Sequence, residues 1–370
     1  MTALPTVAVD LRALVPEATG IGVYTRSLLE ALVARGGARY LGLSHAPPRD
    51  PQALEGAGVP FEVQSAPLGV LWQQIRLPRR LRQGDVDVFW SPLHTLPWRT
   101  PVPSVITVHD LTVWLYPEAH TRKVRLSQRP FFRRSLQQAE AVICVSQATA
   151  DDLQRFFPDV ARRVEVVLSG VDPFFHPAEE EEIAAIRHDL GCPDGYLLYV
   201  GTLEPRKNLD LLLTVWERLR RDDENTPPLL LVGSSGWHSG PLRQRIAQLE
   251  PLGLRHLGHL DRLGLRRAYQ GARAFLYPSF YEGFGLPPLE AMACGVPVAV
   301  SNVSSLPEVV ENAGLLLPPQ DIDAWATAIR RLLDEEALAQ DLRHRGLQRA
   351  ATLTWQRTAE TMEQILLASC

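Results

Sequence analysis

The sequence predicts an α/β protein made of two Rossmann-like domains, and three features lead to this class. Short apolar runs alternate with helical patterns along most of the chain, as in parallel sheets covered by helices on both faces. A strand-like run leads to a glycine-bearing turn near the start of each half, at Gly20 and at Gly201. At 370 residues and 41.2 kDa, the chain is too long for one ordinary core and suits two domains.

The composition describes a globular protein and argues against several other classes. Hydrophobic residues make up 45% and charged residues 22% of the chain, which is unlike a disordered protein. There is no apolar run of about 18 residues and no export signal at the start, so we expect no membrane span. The four cysteines lack metal-ligand spacing, and Cys144 and Cys294 lie in apolar patterns. Buried free thiols and a cytoplasmic location are therefore expected.

The first domain is predicted from Thr6 onward. Thr6–Leu11 has the pattern of a buried strand, and Gly20 and Gly22 then open a helical pattern that runs to about Arg35. A strand, a glycine turn and a helix N-terminus often lie beside a phosphate, although a tight turn explains two glycines equally well. Further strands are predicted at Tyr40–Leu43, Val86–Trp90, Ser104–Val108, Ala141–Val145 and Val164–Leu168.

Polar residues flank two strands of this domain. His109 directly follows the predicted strand Ser104–Val108, and open α/β sheets bind ligands at the carboxyl ends of their strands. His109 could donate a hydrogen bond to a ligand there, or it could be a structural histidine. Asp85 and Asp87 resemble an Asp-x-Asp metal clamp, but they open an apolar strand. We interpret them as strand-edge carboxylates and predict no metal site.

Two arginine-rich segments lie in the same half, at Arg76–Arg82 and Arg122–Arg134. The second also contains Phe131 and Phe132, so a helix there could lie on an anionic membrane surface. The alternative is a solvated helix face, because runs of charge usually have that role. The sequence leaves both interpretations open.

The alternation of strands and helices is interrupted at Ser169–Pro177, which predicts a linker and a domain boundary at about residue 178. The second domain, residues 179–354, begins with a strand that ends at Gly201. Arg206 and Lys207 follow, at the transition from a loop to a helix. There the two cations could neutralise a diphosphate, or they could simply be solvated.

Residues 275–300 carry the most informative pattern, with a strand, a glycine-bearing loop, a short helix and another strand. The helix is expected to begin close to Pro287 and to end before Gly295, since proline suits the first turn and glycine the left-handed residue after the end. Glu282 would lie in the loop and Glu290 in the first helical turn. The amides ahead of the helix favour an anion such as a phosphate, and they belong to Gly283, Phe284, Gly285 and Leu286.

This arrangement suits a particular kind of ligand. Glu282 and Glu290 could bind hydroxyl groups on either side of a bound phosphate, which is the layout of a nucleoside diphosphate sugar. Taken singly, either glutamate could instead cap the helix or face solvent. Farther along, Ser305 and Glu308 have capping-box spacing at the start of the next helix.

The string from Glu282 to Glu290 resembles the Glu-x7-Glu signature of the retaining glycosyltransferases of family 4, also called group 1. The resemblance covers nearly the whole chain and is strongest from Tyr196 to Pro319. It implies the GT-B fold, in which two Rossmann-like domains face a central cleft and the last helix, here residues 355–370, returns to the first domain. The string Val-Gly-Thr-Leu-Glu-Pro-Arg-Lys-Asn is most similar to bacterial α-mannosyltransferases of surface polysaccharides of the O-antigen type.

The resemblance also implies roles for particular residues. Glu282 and His109 would act on the donor sugar as catalytic residues, and Glu290 would bind the ribose. Arg206, Lys207 and the amides of 283–286 would bind the diphosphate. The remaining donor-binding positions are implied at His259, Leu260, Gly20 and Gly22.

Two departures from the family pattern concern the linker and the phosphate site. Ser169 replaces an asparagine of the interdomain segment, and Thr202 stands where many members have an arginine. The phosphate site would therefore depend more heavily on Arg206 and Lys207.

The expected function is retaining transfer of a hexosyl group from a nucleotide sugar, with GDP-mannose as the donor and a glycan or lipid-linked acceptor. UDP- and ADP-hexoses remain open as donors. A different enzyme of the same architecture, such as an epimerase or a phosphorylase, and a non-catalytic member of a polysaccharide assembly complex also remain open. We expect no cofactor, no metal and no nucleic-acid partner, with peripheral contact at the inner face of the membrane as a further hypothesis.

Overall fold

The computed structural model describes residues 4–15, 20–117, 131–234, 236 and 240–370, apart from the side chains of residues 161 and 162. The chain forms two units. The first consists of Met1–Gly170 and Thr354–Cys370, and the second consists of Val171–Leu353. The chain therefore passes to the second unit after Gly170, ahead of the boundary that the sequence predicts.

The first unit contains a parallel sheet of seven strands in the order β3-β2-β1-β4-β5-β6-β7. Strands β1 to β7 are Thr6–Asp10, Arg39–Ser44, Phe61–Val63, Val88–Ser91, Ser104–Val108, Ala141–Cys144 and Val164–Val166. Helices α1 to α5 are Gly20–Arg35, Pro51–Gly56, Gly69–Leu71, Leu77–Leu81 and Thr112–Leu115, and a π-helical turn at Trp72–Arg76 joins α3 to α4. Helix α6 is described over residues 131–138, and α7 is Gln147–Phe156.

The second unit contains a parallel sheet of six strands in the order β10-β9-β8-β11-β12-β13. Strands β8 to β13 are Tyr196–Val200, Leu229–Val232, Leu254–Gly258, Ala272–Tyr277, Val298–Ser301 and Gly314–Leu317. Helices α8 to α15 are Glu180–Asp189, Leu209–Asp222, Gly240–Leu249, Arg262–Gln270, Leu286–Ala293, Leu306–Val310, Ile322–Asp334 and Glu336–Thr352.

In each sheet, the first three strands along the chain are neighbours in order, and the later strands lie on the other side of the first strand. The order reverses between β1 and β4 in the first sheet and between β8 and β11 in the second. Central strands β1, β5 and β8 are buried along their whole length, as the continuous apolar runs predict for parallel strands covered on both faces. Because ligands of such sheets bind where the order reverses, the loops after β8 and β11 belong to the expected ligand-binding edge.

The last helix, α16 (Trp355–Ala368), belongs to the first unit and packs on α1. Glu363 of α16 accepts hydrogen bonds from Arg35 Nε at 3.0 Å and from the amide of Gly37 at 3.2 Å. Thr358 Oγ1 donates to the carbonyl of Leu168 at 2.8 Å. These contacts attach the C-terminal residues to the first sheet layer even though the second unit separates them in sequence.

Two elements differ from the sequence prediction. Strand β3 was not predicted, because a run of three residues at the edge of a sheet gives little periodic signal. The acidic run that follows the predicted linker starts helix α8, with Glu180, Glu181 and Glu182 in its first turn, whereas the second domain was expected to begin with a strand. Carboxylates at that position are stabilised by the helix dipole, which explains why this run is helical.

Candidate functional site

The strand order of the second unit brings together the two loops that carry most of the predicted donor-binding residues. The loop after β8 and the loop after β11 are joined where the amide of Phe280 donates to the carbonyl of Arg206 at 2.9 Å. Asn208 Nδ2 donates to the carbonyl of Pro278 at 3.1 Å, and Asn208 itself has a left-handed backbone, with φ of 55°. That backbone turns the chain from Lys207 into α9, so Arg206 and Lys207 lie beside the second loop.

Four charged side chains form a network between these loops. Lys207 Nζ lies 2.7 Å from Glu282 Oε1, and Arg206 Nη1 lies 3.2 Å from Glu282 Oε2. Arg206 Nη2 also lies 2.7 Å from Glu204 Oε1. Lys207 Nζ donates a further hydrogen bond to the hydroxyl of Tyr277 at 2.8 Å. Two cations thus meet two carboxylates, and the formal charge of the network is zero.

Burial makes this network strongly coupled, since Lys207 and Glu282 are each only 7% exposed. Burial alone would raise the pKa of Glu282, but the charges of Lys207 and Arg206 outweigh it and lower that pKa. Burial lowers the pKa of Lys207, and the Glu282 carboxylate partly offsets the change. The sequence predicted Glu282 beside a sugar, whereas its carboxylate here contacts both predicted phosphate ligands. A diphosphate on Arg206 and Lys207 would compete with Glu282 for them.

The N-terminus of α12 lies directly after this network. Gly285 precedes the helix with φ of 108°, a conformation that favours glycine, and Leu286 is the first helical residue. Pro287 and Pro288 have no amide hydrogen, so Gly285 and Leu286 supply the amides nearest the helix start. The left-handed Gly295 after the helix is confirmed, with φ of 74°. Glu290, however, is the fifth helical residue, so its predicted place in the first turn is wrong and it begins the second turn.

Two serines hold the 282–284 loop. The amide of Glu282 donates to Ser304 Oγ at 2.9 Å, and Ser305 Oγ donates to the carbonyls of Glu282 at 3.0 Å and Phe284 at 2.7 Å. The predicted capping box at Ser305 is therefore wrong, because its fully buried hydroxyl donates to the preceding loop and makes no cap of α13. Gly283 also lies in this supported loop.

Glu290 lies in a different environment from Glu282. Its Oε2 accepts a hydrogen bond from the hydroxyl of Tyr269 at 2.8 Å. Burial raises the pKa of Glu290 to about 7, and the Tyr269 hydrogen bond only partly opposes this change. At neutral pH this carboxyl is therefore close to its titration midpoint, whereas Glu282 is ionised.

His259 and Leu260 follow β10, the edge strand that is two strands away from β8. His259 is exposed and Leu260 is half-buried. Asp261 caps the next helix, since its Oδ1 accepts from the amide of Gly264 at 2.7 Å. This cap fixes the chain direction directly after the two predicted nucleobase contacts.

In the first unit, His109 lies at the carboxyl end of β5. Its Nε2 is 2.8 Å from the carbonyl oxygen of Pro92, and its ring contacts Tyr24 edge-on at 4.7 Å and His94 at 5.7 Å between centroids. Burial, with a smaller contribution from His94, lowers the pKa of His109 to about 3, so the ring is neutral. The carbonyl can only accept, so the ring proton is assigned to Nε2. The Nδ1 atom is then an acceptor, whereas the sequence predicted that His109 would donate to a ligand.

Gly20 and Gly22 begin α1, but residues 16–19 lie outside the described part of the chain. A Cβ added at Gly20 would meet nothing within 4 Å, and Gly20 does not have a positive φ. Neither close packing nor a positive φ therefore requires a glycine at position 20. Its role in phosphate binding stays a prediction.

The strand-edge carboxylates have structural partners. Asp87 Oδ2 accepts from the amide of Thr6 at 2.7 Å, and Asp85 pairs with Arg80 at 2.6 Å. Arg80 also pairs with Glu62 at 2.7 Å and is 6% exposed, so it is not part of an exposed basic surface. Most of the second basic segment, residues 122–130, lies outside the described residues.

The described ranges contain neither a metal-type cluster of side chains nor a membrane-spanning helix. Among them, no three or more His, Cys, Asp or Glu side chains are grouped so as to hold a metal ion. Within the same residues, none of the helices has the length and apolar character needed to cross a membrane.

Four contributors to these sites were not predicted as functional residues: Glu204, Tyr269, Ser305 and His94. Glu204 lies in the quoted Glu-Pro-Arg-Lys string, and its proximity to Arg206 was the available signal. The other three become neighbours of the predicted residues only through the fold, since Tyr269 is 21 residues from Glu290 along the chain.

Comparison with solved structures shows the fold. HepE (Alr3699) from Anabaena, solved with UDP and glucose, superposes with a TM-score of 0.77 at 19% identity, covering 99% of this chain and 100% of that one. Such a match establishes the GT-B fold of the glycosyltransferases.

Sequence comparison then defines the family. Residues 18–174 match the model "Glycosyltransferase Family 4", and residues 182–349 match "Glycosyl transferases group 1". The O-antigen chain mannosyltransferase B of Escherichia coli is 33% identical over 357 residues, covering 91% of this chain and 93% of that protein. A glycogen synthase of Mycobacterium tuberculosis is 30% identical over 316 residues, covering 80% and 73%. The chain belongs to the family 4, group 1, glycosyltransferases.

Proposed function

We propose that this glycosyltransferase transfers a mannosyl group from GDP-mannose to a glycan or lipid-linked acceptor, with retention of configuration, in the assembly of a surface polysaccharide. The observation that carries the proposal is the 33% identity to O-antigen chain mannosyltransferase B over 91% of this chain. Identity over that span includes both units, so it supports similarity in the donor half and in the acceptor half.

The charged network of the second unit suits a departing diphosphate. In the proposed complex, phosphate oxygens replace Glu282 as the partner of Arg206 and Lys207, and the amides of Gly285 and Leu286 add hydrogen bonds. These groups are fixed before the reaction and would stabilise negative charge as it grows on the leaving group. A strong donor of this preorganised kind contributes about 3–4 kcal/mol to the transition state.

The displaced carboxylate of Glu282 is then available to accept a hydrogen bond from a donor-sugar hydroxyl. In the proposed retaining reaction, the bond from the anomeric carbon to the phosphate oxygen breaks as the acceptor hydroxyl attacks from the same face. The leaving phosphate accepts the proton of that hydroxyl. The chain itself then needs no side chain that forms a covalent intermediate.

Other residues would orient the two ends of the donor. We propose that Glu290 binds the ribose hydroxyls and that the backbone at His259 and Leu260 meets the base. His109 Nδ1, as an acceptor, suits a sugar hydroxyl. Gly20 and Gly22 would lie near the donor phosphate or the acceptor.

A glucosyl donor is the second candidate, and the 30% identity to a glycogen synthase favours it. The first experiment measures the melting temperature of the full chain with GDP, UDP and ADP in parallel. A ligand at about 100 times its Kd stabilises by about 2.7 kcal/mol. A shift with GDP alone supports mannosyl transfer, and a shift with UDP or ADP alone overturns the GDP-mannose assignment.

Product analysis then tests the chemistry. With the donor that the melting experiment identifies, nuclear magnetic resonance of the product reports the anomeric configuration, and an inverted product would overturn the retaining mechanism. No shift with any nucleotide and no hydrolysis of the donor on long incubation would indicate a non-catalytic member of a polysaccharide assembly complex.

A further inference from the structure

The segment from Leu68 to Arg82 has apolar side chains on its solvent-exposed side as well as on its buried side. Its inner side packs into the first unit through a buried set of Trp72, Gln73, Leu77, Arg80 and Leu81. Its outer side is also apolar over the first half, since Leu68 is 60% exposed, Leu71 43% and Ile75 45%. Leu68 directly precedes α3, Leu71 ends it, and Ile75 lies in the π-helical turn. These three exposed side chains, within eight residues of each other, form an apolar stripe that the protein interior does not cover.

The same outer face becomes basic over the second half. Arg76, Arg79 and Arg82 are exposed. Residues 63–84 contain four arginines and no aspartate or glutamate. The fourth, Arg80, points inward and is neutralised by Glu62 and Asp85. The outer face therefore presents three cations with no acidic residue in its own segment.

An exposed tryptophan extends this face. Trp98 is 52% exposed, and its amide donates to Gln74 Oε1 at 2.8 Å, which places it against the π-helical turn. The guanidinium of Arg134 lies 5.9 Å from the centre of the Trp98 ring, and Arg134 Nε donates to the Trp98 carbonyl at 3.4 Å. Tryptophan is enriched at membrane interfaces, where one part of the ring is in an apolar environment and its edge is hydrated.

We propose that this face, formed by Leu68, Leu71, Ile75, Arg76, Arg79, Arg82 and Trp98 and here called the docking ridge, binds an anionic lipid bilayer. The apolar stripe and Trp98 would enter the headgroup boundary, and the arginines would pair with lipid phosphates. A second copy of the chain fits the ridge less well, because a symmetric contact would bring like-charged arginines together. The proposal goes beyond the donor chemistry. It keeps the Arg76–Arg82 segment that the sequence marked as basic and adds to it the exposed apolar side chains of Leu68, Leu71, Ile75 and Trp98.

The test is co-sedimentation of the full chain, without nucleotide, with vesicles of phosphatidylcholine alone or mixed with phosphatidylglycerol. The wild type should sediment only with the anionic vesicles. The double variant Leu71→Ser, Ile75→Ser should lose at least about tenfold in apparent affinity, since each removes apolar contact with the headgroup boundary. Arg79→Gln should lose about fivefold, and the loss should shrink at high salt.

Matched controls place the same changes elsewhere. Ile322→Ser and Leu367→Ser alter side chains of 37% and 38% exposure outside the ridge, and Arg243→Gln removes an exposed arginine of the second unit. These variants should bind vesicles like the wild type. Each ridge substitution is also made singly. A melting temperature close to that of the wild type shows that the variant is folded.

Three results would overturn the proposal. One is absence of wild-type sedimentation with anionic vesicles, and another is equal binding by folded ridge variants and controls. The third is a concentration-dependent dimer in light scattering that only the ridge variants abolish, because a second copy would then cover the ridge. The GDP melting experiment tests a different property. Failure of vesicle binding would therefore not contradict the proposed donor chemistry, and failure of GDP binding would not contradict the proposed membrane contact.

Discussion

Replacing Glu290 by glutamine should make the protein more stable and its donor binding weaker. The carboxyl of Glu290 is buried beside Tyr269, and burial raises its pKa from 4.5 to about 7. A glutamine retains an oxygen that can accept the hydrogen bond from the Tyr269 hydroxyl, but it never acquires the buried charge. The same substitution removes the carboxylate that we propose for the ribose hydroxyls.

The pH window of this effect follows from the direction of the pKa change. Between pH 4.5 and about 7 the folded protein keeps the Glu290 proton while the unfolded chain releases it, so stability falls as pH rises through this window. The difference between the two pKa values corresponds to about 3 kcal/mol. Glu290→Gln should therefore recover up to about 3 kcal/mol above pH 7 and almost nothing below pH 4.5.

Two measurements check both halves of this prediction. Thermal unfolding at pH 8 should show a higher melting temperature for Glu290→Gln than for the wild type, and the difference should vanish near pH 4.5. Donor kinetics at pH 8 should show a raised KM with a smaller change in kcat. The exposed Glu224→Gln is the control and should change neither quantity. A lower melting temperature at pH 8 would refute the buried-charge argument, and an unchanged KM would refute ribose binding.

Three further substitutions test the remaining parts of the site. Lys207→Ala should lower kcat/KM by about 10² or more and destabilise the fold by about 3–5 kcal/mol, because Glu282 loses its closest buried partner; near-normal turnover would remove Lys207 from the phosphate site. Ser305→Ala should cost about 1–3 kcal/mol in unfolding free energy and raise the donor KM, because two loop carbonyls lose their hydrogen bond; an unchanged KM would mean that the loop holds without this hydroxyl. His109→Gln can keep a donor for Pro92, but its acceptor is an amide oxygen on a flexible chain instead of Nδ1 on the rigid ring, so kcat/KM should fall by about 10² with little change in melting temperature. Since the pKa of His109 is about 3, the wild-type pH profile should show no titration of this ring between pH 5 and 8; a variant with full activity would count against any role in sugar binding.

The sequence was most informative where local pattern and long-range structure agree. The strand Ser104–Val108 has the predicted bounds, because it is a continuous apolar run with clear ends. The short edge strand Phe61–Val63 gave no such signal. The predicted capping role of Ser305 was wrong because spacing alone does not reveal that a preceding loop takes its hydroxyl.

The sequence by itself determined the class of fold and the family, because these are carried by glycines, prolines and charged residues at fixed local spacing. Only the tertiary structure decided their electrostatic state. Glu282 and Glu290 are eight positions apart and chemically identical, yet one meets two cations and the other a tyrosine. That difference arises from the reversal of strand order between β8 and β11, which brings Arg206 and Lys207 to Glu282 alone. A pKa depends on the charges and the solvent within a few ångströms, and those neighbours come from distant parts of the chain.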